Sequence, residues 1–461
     1  MKIKINDTVK NTIDEKIFGN FIEHIENCIS GGIFDRDNPL SDDNGIRLDV
    51  LEKCKELAPP ILRFPGGTVM GIYHWQDHVG LIENRKKMRN IVWGGMLCHE
   101  FGTAEFVEYC RKIGAEPMIC VNMPTGTPEE AANWVEYCNG TEDSYYANLR
   151  RSHGYEEPFN VKYWCIGNES YAEPDLGTQH DVNVYIRDAW EFTKYMKMTD
   201  PSIELVYVGC DEKWNRAVLD SLAPVCDYLS VHFYSGSGEQ SFKMLDDFEC
   251  GTLADTEKLL NEYNAKELSF SPWYRIPPRS HDIKIALDEW NIWNTAPNER
   301  SKYGLYQQYT WSDALWVADF LVMMINHSDN IGIANMAQMV NVIAPIMAER
   351  EGSWKQTTFY PVKYFRHHCG AKLLECSFDH PAVKAAATES DGGEKVIFLV
   401  SHSAEVISCD FDYKLSSAIT MTCEDKNAVN FLEKDNVFIE EIKLCGRSVE
   451  LKPYSINIIK A

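Results

Sequence analysis

The sequence predicts an α/β fold: a (β/α)8 TIM barrel carrying a carboxy-terminal antiparallel β-sandwich of jelly-roll type. Three observations lead there. Eight apolar, strand-like runs alternate with helix-like patterns between residues 16 and 370. Polar or acidic residues stand at the carboxyl end of almost every run, spread over several strands rather than gathered at one switch point. After about residue 370 the texture changes to short, alternating, β-branched segments between turn residues. The 461 residues exceed the usual size of one compact domain. The expected division is residues 1–15 as an amino-terminal strand joining the sandwich, 16–370 as the barrel and 371–461 as the sandwich.

Residues 2–5 alternate polar and apolar, which fits a sandwich strand. Barrel strands are expected at 17–23, 60–64, 116–122, 162–168, 204–209, 228–234, 284–289 and 332–338, each an apolar run of the kind that burial on both faces requires. Residues 48–57 and 103–113 space their apolar residues at three and four, the second placing Phe106, Val107 and Cys110 on one face. Thr127-Pro128-Glu129-Glu130 reads as a helix start: a capping threonine, a proline at the first position and acids at the positive end. Residues 312–324 form an apolar helix opening with Ser312-Asp313. No Gly-x-Gly-x-x-Gly follows the first strand and no P-loop occurs. Sandwich strands are expected at 382–387, 395–401, 406–411, 437–442 and 448–459, with Asp391-Gly392-Gly393 as a hairpin turn.

Composition narrows the function classes. The formal charge of −24 repels phosphate backbones and anionic lipid, so neither nucleic acid nor membrane is an expected partner. No apolar stretch approaches the roughly 18–20 residues that a bilayer span needs, and the polar amino terminus does not read as a signal peptide. Fifteen cysteines are scattered without a Cys-x-x-Cys pair, and Cys110, Cys120 and Cys165 sit in apolar settings. They read as free thiols of a reducing compartment, and a cytoplasmic location is expected. His367-His368-Cys369 lacks ligand spacing, and no metal or other cofactor is expected. Twelve Trp and 22 Tyr suit a sugar ligand, whose apolar face lies well against a ring.

Two segments carry the chemistry: Trp164-Cys165-Ile166-Gly167-Asn168-Glu169 and Ile285-Ala286-Leu287-Asp288-Glu289-Trp290-Asn291. Each is an apolar run ending in a carboxylate, and two such strand ends supply what glycoside hydrolysis needs. One carboxyl group protonates the leaving oxygen while the other attacks the sugar or activates water. Asn168 has the reach for a sugar hydroxyl next to the reacting carbon. Asp288 either supports the strand of Glu289 or repels its charge. His232 reads as a satisfied core histidine or as a catalytic one, and Gly66 and Gly67 serve backbone geometry.

These stretches, together with Phe18-Gly19-Asn20-Phe21-Ile22-Glu23-His24, Arg63-Phe64-Pro65-Gly66-Gly67, His232-Phe233-Tyr234, Trp290-Asn291-Ile292-Trp293 and the run from Ala337 to Pro345, resemble family 51 of the glycoside hydrolases. Its characteristic members are intracellular α-L-arabinofuranosidases. The resemblance implies a retaining double displacement with Glu169 as acid/base and Glu289 as nucleophile. It puts the carboxyl groups roughly 5–5.5 Å apart and requires an environment that raises the pKa of the acid. It makes Glu23, Arg63, Asn168, Tyr234 and Gln338 sugar contacts, with Tyr234 donating to the nucleophile and Arg63 alternatively a structural ion-pair residue. Trp93 and Trp293 match positions that wall the sugar, or else plain packing.

The implied activity is exo-hydrolysis of terminal non-reducing α-L-arabinofuranosyl residues from arabino- or arabinoxylo-oligosaccharides by a homo-oligomer, a hexamer in many relatives. The alternatives are the same machinery on a β-D-galactofuranoside, β-D-xyloside or β-glucan, and a non-catalytic carbohydrate-binding protein. Three departures bear on that choice: Thr68 in place of a usual Asn, His99-Glu100-Phe101-Gly102, and the loop 170–177 after Glu169. These positions rim the sugar and leaving-group sites.

Overall fold

Eight parallel strands close on themselves in the computed structural model, which describes residues 1–173, 175–268, 270 and 275–461. The first strand of the chain, β1 (Lys2–Thr12), lies outside this ring. Its members are β2 (Gly19–Phe21), β3 (Ile61–Phe64), β4 (Glu116–Val121), β5 (Tyr163–Ile166), β6 (Glu204–Tyr207), β7 (Tyr228–Ser235), β8 (Lys284–Ile292) and β9 (Ile331–Ala337). Closure comes from β2, which pairs with β3 on one side and with β9 on the other through Gly19↔Asn335 and Phe21↔Ala337. All eight expected strands are present, most of them shorter, because the residues after each run turn into loops. The last residues of β8 continue past Glu289 to Ile292.

The period-two pattern of the strands is read out by packing. Ile61, Met118, Cys120, Tyr163, Cys165, Val206, Tyr228, Ala286 and Ile333 point inward and fill the barrel. Their neighbours Leu62, Ile119, Trp164, Leu205, Leu229 and Ile285 point outward, into the core shared with the helices. The helices Leu48–Leu57, Thr103–Ile113 and Pro128–Asn139 fall as expected, and Thr127 accepts from the Glu130 amide as cap. The apolar helix runs from Trp311 to Asn326, one residue earlier than expected, because Thr310 rather than Ser312 caps it in a reciprocal box with Asp313. It is buried almost all round because it lies between the barrel and the carboxy-terminal sheet.

After the hairpin β10 (Ile346–Glu349) and β11 (Gly352–Lys355) come eight further strands: β12 (Lys372–Ser377), β13 (Val383–Glu389), β14 (Lys395–Ser401), β15 (Ile407–Phe411), β16 (Ser417–Thr422), β17 (Phe438–Lys443), β18 (Ser448–Leu451) and β19 (Ser455–Lys460). With β1 they form one sheet in the order β17-β16-β19-β14-β13-β12-β1-β15-β18. The two layers expected of a sandwich are thus hydrogen-bonded into one sheet. Strand β1 pairs antiparallel with β12 along most of its length, and in parallel with Asp410 and Phe411 through Lys2 and Ile3.

One apolar core draws on both arms, with Ile397, Leu399 and Ile459 packed with Ile407, Phe411 and Leu451. The alternate residues Val396, Phe398 and Val400 face the barrel instead. Strands β12 and β16 were not expected, since Lys372-Leu-Leu-Glu-Cys-Ser does not alternate and β16 lies between polar stretches. The run 448–459 is two strands, broken where Tyr454 takes a φ of +47°.

Candidate active site

The carboxyl ends of the strands deliver charged side chains into one mouth. Strand β7 does so by simple alternation: Ser230, His232 and Tyr234 share a face. Strand β8 cannot, because consecutive residues point to opposite faces, and yet both Asp288 and Glu289 turn inward. The register explains it. Leu287 pairs with Ala334 but Trp290 with Met336, and Ser230 pairs with Ala286 but His232 with Glu289. One extra residue therefore sits in β8 relative to both neighbours, a β-bulge that re-aims the acidic pair.

The three inward residues of β7 then serve the acids. Ser230 Oγ donates to Asp288 Oδ1 at 2.6 Å. His232 Nδ1 stands 2.7 Å from Glu169 Oε1, with Nε2 3.4 Å from Asp288 Oδ1. Tyr234 OH donates to Glu289 Oε2 at 2.9 Å. From β3, Arg63 reaches three partners. Nη1 donates to Glu289 Oε1 at 2.7 Å, Nη2 to Asn168 Oδ1 at 2.6 Å, and Nε lies 3.3 Å from Asp288 Oδ2. Its guanidinium also lies over the Phe21 ring, 4.7 Å from the centroid. Arg63 is therefore an ion-pair hub as well as a wall of the mouth. Asp288 is a support: burial pushes its carboxyl up, but Arg63 and His232 bring it below the usual range.

Glu169 follows the turn Gly167-Asn168 with a φ of +38°, and Gly167 has a φ of +83°. The strained turn aims the carboxyl group across the mouth. One oxygen of Glu169, one of Glu289 and a ring nitrogen of His232 lie within 4.8 Å of one another. Such a trio has metal-ligand character, but here the negative charge is met by Arg63 and by His232. Burial lowers the His232 pKa, yet the charge of Glu289 and its bonds to Asp288 and Glu169 hold it well above the usual range. The same contact decides Glu169: burial pushes its carboxyl up, but His232 brings it below the usual value. This corrects the expectation of a raised acid at Glu169. The environment raises the proton affinity of its neighbours instead.

Beside this cluster, a second pocket wall is built around Glu23. Its Oε1 accepts from Trp93 Nε1 at 3.0 Å and from the Val69 amide at 3.1 Å, and its Oε2 accepts from Gln338 Nε2 at 3.0 Å. Burial pushes its carboxyl up to about 7 despite these donors. The backbone comes close here. A Cβ on Gly66 would meet Glu23 Cγ at 2.5 Å, and one on Gly67 would meet Glu289 Oε1 at 2.8 Å. Trp293 packs edge-on against Tyr234 at 5.7 Å and donates to the Tyr303 carbonyl, while Trp93 meets the Tyr303 ring edge-on at 5.3 Å.

Thr68 sits apart from Glu23 and donates to Asp175 Oδ1 at 3.0 Å. The structure thus brings Glu23, Arg63, Trp93, Asn168, Glu169, Tyr234, Glu289, Trp293 and Gln338 to one mouth, with Thr68 at its rim through Asp175. Asn168 Nδ2 and Gln338 Oε1 are buried without a partner among the described residues, which leaves a donor and an acceptor in the mouth for a ligand.

Sequence reasoning missed Asp175 and Tyr303, and it split His232 between two roles. The signal for His232 was its period-two placement with Tyr234. Tyr303 carried no signal, because it reaches the site from a loop. Asp175 lies in the departing loop 170–177, of which Pro174 is outside the described residues.

Residues 53–249 match the α-L-arabinofuranosidase 1 domain and residues 288–455 the α-L-arabinofuranosidase C-terminal domain. The chain is 37% identical over 464 residues to a probable α-L-arabinofuranosidase C of Aspergillus niger, covering 93% of this chain and 90% of that protein. It is 35% identical to an intracellular exo-α-(1→5)-L-arabinofuranosidase of Halalkalibacterium halodurans, covering 91% and 89%. Among solved structures, the thermostable family 51 α-L-arabinofuranosidase of Thermotoga petrophila superposes with a TM-score of 0.89 at 34% identity, over 100% of this chain and 99% of that one. This chain belongs to family 51 of the glycoside hydrolases, the α-L-arabinofuranosidase family.

Proposed function

We propose that the protein is a retaining exo-glycosidase that releases terminal, non-reducing α-L-arabinofuranosyl residues from arabino- or arabinoxylo-oligosaccharides. Glu289 is the nucleophile and Glu169 the acid/base. The observation that carries the reading is the proximity of the two acids, whose nearest ligand atoms lie within 4.8 Å. Retaining enzymes hold their carboxyl groups about 5–5.5 Å apart, whereas inverting ones leave about 6.5–9.5 Å for a water.

In the first step Glu289 bonds to the anomeric carbon while the glycosidic bond breaks, and a proton delivered through Glu169 goes to the leaving oxygen. In the second, water gives its proton to Glu169 and its oxygen to the anomeric carbon, which frees Glu289. Arg63 and Tyr234, one on each Glu289 oxygen, hold the nucleophile in line. Glu23 and Gln338, with Trp93 and Trp293 as walls, bind the sugar hydroxyls, and Asn168 offers its free amide N–H to the hydroxyl next to the reacting carbon. The exo mode and the sugar are those in the name of the bacterial relative.

A cytoplasmic location is supported by the fifteen cysteines, all of them unpaired. Among the described residues no helix is long and apolar enough to cross a membrane. Assembly into a homo-oligomer is supported by the edge strand β17, which exposes Phe438, Ile439 and Ile442 beside exposed Phe431 and Leu432. The domain division at residues 15 and 370 is supported by the positions of β1 and β12. The test is hydrolysis of 4-nitrophenyl α-L-arabinofuranoside beside the β-D-xylopyranoside, β-D-galactofuranoside and β-D-glucoside. Turnover of the arabinofuranoside alone is expected. Turnover of another glycoside alone would keep the mechanism and overturn the sugar.

A further inference from the structure

Asp175 stands where an ionised aspartate is poorly served. Its carboxyl group lies against that of Glu169. Thr68 Oγ1 donates to Oδ1 at 3.0 Å, while Oδ2 is buried and meets no N–H or O–H donor among the described residues. Two carboxylates this close are costly to ionise together, which favours one proton shared by the pair. A proton on Asp175 supplies the missing donor and satisfies its neighbour at once. The other titratable and charged groups around the pair are His232 on Glu169, the Tyr171 hydroxyl donating to Glu169 Oε1 at 3.5 Å, Arg63, and Glu289 across the mouth. Burial, then the charge of Glu169, pushes the Asp175 carboxyl up to about 8, against the pull of Thr68.

We infer that Asp175 is a positioning residue for the acid step: tethered by Thr68, it keeps the catalytic proton on the Glu169–Asp175 pair and hands it to Glu169 as the leaving group docks. The inference rests on the reading of Glu169 as acid/base. The proton moves from Asp175 to Glu169 and on to the glycosidic oxygen as the bond to the anomeric carbon breaks. Asp175 is left as a carboxylate accepting from Thr68. In the second step the proton of the attacking water passes to Glu169 and back to Asp175, so the pair ends as it began. The arrangement accounts for two departures of this chain together, since Thr68 and the loop 170–177 meet at this contact.

The experiment compares wild type, Asp175→Asn and Thr68→Val on two substrates, measuring kcat/KM against pH and the thermal midpoint of each protein. An α-L-arabinofuranosyl oligosaccharide needs its leaving oxygen protonated, whereas 2,4-dinitrophenyl α-L-arabinofuranoside does not. For Asp175→Asn the expected result is a loss of about tenfold or more on the oligosaccharide, a much smaller one on the dinitrophenyl glycoside, and an alkaline limb about one pH unit lower. Thr68→Val should move the limb in the same direction by less, and it carries the test if Asp175→Asn does not fold. Equal losses on both substrates with an unmoved limb would overturn the inference, as would unchanged profiles in both variants. Failure of the wild type on both glycosides would instead sink the functional reading, so the two failures are distinguishable.

Discussion

The two ends of the barrel use the same residue types to opposite effect. At the amino-terminal end, Glu204 takes Lys162 at 2.8 Å, His281 at 3.6 Å and the Tyr228 hydroxyl at 3.1 Å. Asp227 takes Lys197 at 3.6 Å and the Leu205 amide at 2.8 Å. Burial works against Glu204, but His281 and Lys162 pull its carboxyl down to about 2. At the carboxyl end, Glu23, Glu169, Asp175, Asp288 and Glu289 crowd around Arg63 and His232, and burial lifts Glu23 and Asp175 to about 7 and 8. At Glu204 the two cations outweigh burial and stabilise the fold, whereas at Asp227 burial outweighs Lys197 and still pushes the carboxyl up. At the mouth burial leaves Glu23 and Asp175 raised, which weakens the fold, while His232 and Arg63 hold Glu169 and Asp288 down; such divided acids are the usual condition of an active site.

The comparison can be broken by mutation at either end, and the largest effect is at the mouth. Glu289→Ala should lower kcat on 4-nitrophenyl α-L-arabinofuranoside by about 10^4-fold or more, with the thermal midpoint unchanged or raised. A residual rate within tenfold of wild type would remove Glu289 from the nucleophile's role. Glu169→Ala should cost about 10^2–10^4-fold on an oligosaccharide and should be rescued by azide with a retained-configuration adduct. The azide adduct of Glu289→Ala should be inverted.

Stability predictions sharpen the contrast, because their signs differ. The folded pKa of Glu23 is raised, so its contribution to stability is present below the unfolded value and lost as pH climbs through about 7. Glu23→Gln should therefore stabilise the protein at pH 8, by at most about 3 kcal/mol, with no gain at pH 5 and a loss of activity. The folded pKa of Glu204 is depressed, so its contribution is present above the unfolded value and lost as pH falls towards about 2. Glu204→Gln should destabilise by about 2–3 kcal/mol at neutral pH, less near pH 3, with kcat unchanged. Chemical denaturation at the two pH values reads both. Matching signs would erase the contrast.

The legibility of the molecule divides along similar lines. The barrel strands are apolar on both faces because they are buried on both, so the runs themselves announce them. The two acids were legible because each ends such a run. What the sequence left hidden is what register and loops decide. The bulge that turns both Asp288 and Glu289 inward is a pairing between strands, and β12 and β16 lack clean alternation. Asp175 reads as one more loop acid until its contact with Thr68, 107 residues earlier, is seen. Where the proton rests could not be read either, since it depends on His232 lying 2.7 Å from Glu169.

The central claim is that the mouth holds a nucleophile and an acid/base close enough for double displacement. Methanolysis tests it most directly: the enzyme is run on 4-nitrophenyl α-L-arabinofuranoside in aqueous methanol and the product's anomeric configuration is read by proton NMR. The account predicts methyl α-L-arabinofuranoside, the retained anomer, with formation abolished in Glu289→Ala. Formation of the β anomer would contradict it, because it would mean a single displacement across a wider gap than the two acids here leave.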